Sequence, residues 1–128
     1  MNRHIALGLT LLIGASIGAA AVDTLRAQSK IPGAYIIVDI NTFNNAEQFK
    51  TLIPKLGPAN AAFGVKPIVQ TETVIGLDGP PPKRIAIIPF DSVDKAKAWA
   101  GSAAVKEITD IRVKTTSSRS FIVESLSN

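Results

Sequence analysis

The sequence predicts an α+β fold made of two similar strand–helix–strand halves, and three observations carry that expectation. Runs of strand length rich in β-branched residues recur at Ala34 to Ile40 (AYIIVDI), Lys83 to Phe90 (KRIAIIPF) and Phe121 to Glu124 (FIVE). Apolar residues at helical spacing lie between these runs. A proline-rich loop, Gly76 to Pro82 (GLDGPPP), divides the halves, because its three prolines lack the backbone donor that a ladder needs.

Taken in order, AYIIVDI is the first strand. Alternation turns Ile36, Val38 and Ile40 to one face and Tyr35, Ile37 and Asp39 to the other. Asn44 followed by Glu47 forms a capping-box-like start for a helix in which Ala46, Phe49, Ile53, Leu56, Asn60 and Phe63 recur at helical spacing. Pro54 and Pro58 remove donors and crowd the preceding turn, so a kink or break is expected near Ile53, and Gly64 ends the element. Lys66 to Ile75 (KPIVQTETVI) reads as a strand with a bulge or bend. After the proline loop comes the third strand, Lys83 to Phe90, in which Pro89 points to an edge position or a bulge. Ser92 caps a short helix carrying Val93, Ala96, Trp99 and Ala100, and Gly101-Ser102 ends it and starts another through Val105, Ile108, Ile111 and Val113. Thr115 to Arg119 reads as a polar turn before the last strand. The order is that of a ferredoxin-like βαββαβ fold with an extra short helix in its second half. One sheet face is then covered by helices and the other left bare over a domain spanning 34–126, so a dimeric α/β barrel, closed by a second copy, is expected.

Composition narrows the chemistry. The chain of 128 residues has no cysteine, which excludes disulfides, thiolate metal sites and a cysteine nucleophile, and its only histidine is His4. Neither a metal site nor a cofactor is expected. From Ile5 to Val22 the chain is apolar, with Arg3 before it and Asp23 after it, and small residues precede both Val22 and Gln28. Residues 1–27 therefore read as a signal peptide, with a membrane anchor or a buried helix as alternatives, and 28–33 as a linker. Export to the periplasm or medium follows from the first. Cleavage after Ala27 leaves 12 basic against 9 acidic residues, a net of +3. The lysines are scattered rather than clustered, so nucleic acid is not an expected partner.

The segments AYIIVDI, KPIVQTETV, PPKRIAIIPFDSVDKAKAWAGS and KEITDIRVKTTSSRSFIVES together resemble domain-of-unknown-function family 1330, over about Ala34 to Ser125. The resemblance implies a ferredoxin-like fold and a back-to-back dimer, with no established reaction. The chain departs from the family pattern at Val65-Lys66, at Pro89 and at Ala103 to Val105.

Three acids, Asp39, Glu72 and Glu124, fall within expected strands. Asp39 and Glu72 are the candidate general bases, since an acid enclosed among apolar side chains holds its proton more tightly. The plainer reading is a solvated or arginine-paired carboxylate. Arg84, Arg112 and Arg119, with Tyr35, are the candidate ligand-binding residues, because guanidinium groups grip anions bidentately and a phenol donates a hydrogen bond. Arg112 near a helix C-terminus also suits the helix dipole without any ligand. Trp99 and Phe90 read as core. The leading expectation is an exported dimer that binds a small anionic or aromatic molecule between sheet and helices. A cofactor-independent isomerase, decarboxylase or monooxygenase, and a structural or partner-binding domain, are the alternatives.

Overall fold

A computed structural model describes residues 31–126, and the 1–27 segment expected to direct export lies outside them. Four strands and two helical segments follow one another in the expected order. The strands are β1 (Ala34–Phe43), β2 (Val69–Thr71), β3 (Arg84–Phe90) and β4 (Thr116–Glu124). The helices are α1 (Ala46–Phe49), α2 (Ile53–Ala61), α3 (Val93–Gly101) and α4 (Ala103–Thr115). The sheet order is β2-β3-β1-β4 and every pairing is antiparallel, which is the ferredoxin-like arrangement.

Beneath the helices the β1 alternation falls as the sequence requires, with Ile36 and Ile40 each 3% exposed and Val38 packed against the same cluster. The first helical stretch breaks where its prolines dictate. After α1 a tight 3-10 turn covers Lys50–Leu52, and α2 begins with Pro54 in its first turn, where no backbone donor is needed. The break carries Phe49 and Leu52 into the core. Helix α2 closes on Gly64, whose φ of 64° lies in the left-handed region that favours glycine. There the Gly64 N–H donates to the Ala61 carbonyl and the Val65 N–H to the Asn60 carbonyl, at 3.0 and 3.1 Å. This double closure satisfies carbonyls that the helix end would otherwise leave open.

Four expectations need correction. The cap of α1 is Asn45 rather than Asn44: its Oδ1 accepts from the Gln48 N–H at 3.0 Å, while the Asn44 N–H is drawn to the Thr115 carbonyl at 2.8 Å. Strand β2 keeps only three of its ten expected residues, since the Thr71 hydroxyl accepts from the Thr73 N–H at 2.9 Å and turns the chain away. Pro89 does not lie on an edge strand, since β3 is interior. However, β2 pairs only with Ile85 to Ile87. The Ile87 carbonyl accepts from the Ile68 N–H, so by alternation residue 89 also turns its backbone toward β2, beyond that strand's end. Thr115 to Arg119 is not a turn: α4 runs to Thr115 and β4 starts at once, with Thr116 to Ser120 paired to Phe43 through Val38.

Serine caps set both helices of the second half, Ser92 accepting from the Lys95 N–H and Ser102 from the Val105 N–H. Trp99 on α3 then packs on Phe90 with ring centroids 5.6 Å apart. Among the described residues no helix is long and apolar enough to cross a membrane.

Candidate functional site

Between the sheet and the helices lies a cavity of about 400 Å³, within the range of small-molecule sites. Its floor is the inner face of β1, β3 and β4, and its roof is Phe49, Leu52, Leu56, Trp99, Val105 and Ile108. Asn60, Gln70, Arg84, Thr109, Arg112 and Ser120 interrupt this apolar lining.

Arg112 is the most unusual of them. It is only 8% exposed, yet among the described residues its guanidinium pairs with no carboxylate. Nη1 donates to Ser118 Oγ at 2.6 Å and Nη2 to Ser120 Oγ at 3.3 Å. The Thr116 hydroxyl donates to the Arg112 carbonyl at 2.6 Å and lies 2.7 Å from Ser118 Oγ, whose proton it can accept. Burial lowers the Arg112 guanidinium below its ordinary value by desolvation. A buried cation held only by neutral hydroxyls keeps most of its electrostatic demand for whatever enters the cavity.

Arg84 lines the same cavity, 6.0 Å above the Phe49 ring, but its Nη1 is 3.7 Å from the Glu72 carboxylate. Asn60 acts at the roof: its Oδ1 accepts from Trp99 Nε1 at 3.0 Å, which fixes the indole edge and leaves the ring to face apolar neighbours.

The remaining expected site residues lie on the bare face. Register places Tyr35, Ile37 and Asp39 there, opposite Pro89, Ile87 and Ile85 on one side and Val123, Phe121 and Arg119 on the other. Arg119 Nε and Nη2 both donate to Asp39 Oδ2 at 3.4 Å, and Arg119 also lies 5.8 Å from the Phe121 ring. Asp39 Oδ1 is buried and has no hydrogen-bond partner among the described residues. The sheet thus gathers Arg84 and Arg112 at the cavity, with Glu72 beside Arg84, and separates them from Tyr35, Asp39 and Arg119. Both candidate bases are arginine-paired. Among the described residues no group of His, Cys, Asp or Glu is placed to hold a metal ion.

A family model for the domain of unknown function DUF1330 matches residues 33–126. The chain belongs to this family. A comparison of the DUF1330 chain with curated proteins finds no match. Its fold is similar to that of a protein of unknown function from Rhodopseudomonas palustris, at 16% identity and a TM-score of 0.59 over 85% of this chain and 94% of that one. It is also similar to a dimeric ferredoxin-like protein of unknown function from Thermobifida fusca, with 14% identity, a TM-score of 0.56 and 75% and 93% coverage. A cofactor-independent oxygenase from Streptomyces nogalater shares the fold at 6% identity, a TM-score of 0.52 and 74% and 94% coverage. At these identities the likeness is one of fold.

In this DUF1330 domain the sequence reading missed Asn60, Ser118 and Ser120. A signal for the serines does exist: they alternate on one strand face, six and eight residues after an arginine near a helix end. The Asn60–Trp99 bond joins residues 39 apart and leaves no local trace.

Proposed function

We propose that this DUF1330 domain binds a small anionic or aromatic molecule between its sheet and helices, as an exported homodimer joined through the bare sheet face. The observation that carries the binding is the buried Arg112 guanidinium, without a carboxylate, at the wall of a cavity of about 400 Å³. The open cavity also argues against a domain packed shut for a purely structural role. The apolar bare face supports the dimer, since Tyr35, Ile37, Ile85, Ile87, Phe121 and Val123 form a patch that a second copy would cover. Export rests on the apolar segment from Ile5 to Val22. Native mass spectrometry of the protein recovered from its exporting host tests all three. A dimer of the processed chain carrying extra small-molecule mass is expected. A monomer overturns the dimer, an unprocessed chain overturns cleavage, and a dimer that stays empty across a metabolite library overturns the binding.

The fold shared with the Streptomyces nogalater oxygenase favours a second reading, a cofactor-independent isomerase, decarboxylase or monooxygenase. Its base would be Asp39 or Glu72, and its anion holder Arg84 or Arg119. Neither acid lines the cavity. Turnover of a bound molecule that disappears in Asp39→Asn or Glu72→Gln would establish this reading in place of passive binding.

A further inference from the structure

The cavity is graded along its length. Following β1 from Ile40 to Ile36, the flanking inner-face pairs are Arg84 and Ser118 beside Ile40, Ala86 and Ser120 beside Val38, and Ile88 and Ile122 beside Ile36. Phe90, which packs on Trp99, comes next, beside Ala34. Four residues of strand separate the charged end from the isoleucine end, about 13 Å. Arg112 belongs to the charged end, because its two hydrogen bonds go to Ser118 and Ser120.

Charge at that end can be counted. Arg84 is offset by Glu72 at 3.7 Å, and Arg112 by no carboxylate among the described residues. One positive charge is left over. A monoanion would neutralise it, whereas a dianion such as a phosphate monoester would bring a second, uncompensated charge into a lining of Ile, Leu and Phe. Two of the five guanidinium donors of Arg112 serve serines, so a pair remains for the two oxygens of a carboxylate. At about 30 Å³ for each water-sized group, the volume admits roughly a dozen such groups, enough for a short chain or a single substituted ring.

We infer that the ligand is a monocarboxylic acid with one compact apolar body, its carboxylate on Arg112 and its body reaching along the isoleucines toward Trp99. This assignment rests on the binding reading above and adds the class of ligand and its direction. Trp99 is the chain's only tryptophan and lines the cavity, so its fluorescence reports occupancy directly.

The test titrates the full chain with octanoate, 1-octanol and octyl phosphate while Trp99 emission is followed. Octanoate should saturate the signal, with an affinity at least about tenfold above either of the others, the contribution of a charge-assisted contact. In Arg112→Met that preference should vanish, so that octanoate and octanol converge, whereas Arg112→Lys should retain part of it. The wild-type comparison decides even if a variant fails to fold. Octanol binding as tightly as octanoate overturns the acid assignment and leaves the binding reading standing. Tighter binding of octyl phosphate overturns the monoanion count. Saturation by none of the three overturns the assignment, and the broader reading then stands or falls on the native mass measurement alone.

Discussion

Among the described residues, Arg112 on the helix-covered face of the sheet is buried and answered only by serine hydroxyls, whereas on the bare face Asp39 is flanked by Arg119 and keeps one oxygen without a donor. The two faces share the same strands and differ by one residue of register. That single step separates a cation facing a cavity from an acid facing the surface where a second copy is proposed to pack. The lesson is that charged residues close in sequence or strand position do not form one site when a sheet lies between them. Asp39 and Arg84, one position apart in the β1–β3 register, belong to different faces.

The comparison can be broken most strongly at the roof. Trp99→Ala removes a buried indole, opens a void and leaves Asn60 Oδ1 without its donor, so unfolding free energy should fall by about 3–5 kcal/mol in a denaturant titration. A loss below about 1 kcal/mol would show that the roof does not depend on this ring. On the bare face Ile37→Lys should leave the fold intact yet weaken association by about 2 kcal/mol or more, measured as a shift toward monomer in light scattering. An unchanged dimer would place the interface elsewhere.

Arg112→Met sharpens the contrast, since it should remove the preference for an anion while leaving stability unchanged or raised by about 1 kcal/mol. The desolvation that lowers the Arg112 guanidinium is a cost to the fold, present at every pH at which the group is charged. The folded chain holds that proton less tightly than the unfolded one, so the cost is relieved only in strongly alkaline solution. Arg112 therefore contributes no slope to stability or anion affinity between about pH 6 and 9. A drop in affinity within that window would implicate another group. The smallest effect is expected for Asp39→Asn in the isolated subunit, below about 1 kcal/mol, because Arg119 is 72% exposed and water already screens the pair. A larger change, seen only in the dimer, would show that the second copy supplies the missing donor to Asp39 Oδ1.

Much of the fold was legible because period-two alternation and proline positions act locally. AYIIVDI alone assigned the two faces, and Pro54 located the helix break. The TTSSR run was misread because hydroxyl-rich composition marks turns when no partner is visible, and the partner of its Ser118, Arg112, is supplied only by the packing of α4 over the sheet. The β2 limits were missed for a related reason, since a side-chain turn at Thr71 overrode a sequence that is strand-like on either side. At the site, residue types pointed to Arg84 and Arg112. They could not reveal which arginine lacked a carboxylate, because Glu72 reaches Arg84 across a loop of uncommon composition.

Pro89 has a consequence for how copies of this chain avoid each other. Beyond Ile87 the flank of β3 facing β2 has no strand partner among the described residues, and unpaired strand backbone of that kind can recruit a stray strand. Along that stretch, the backbone donor that would greet an incoming strand belongs to residue 89, and proline has none to offer. The short β2 therefore leaves a stretch of rim at which a strand added in register would miss that hydrogen bond.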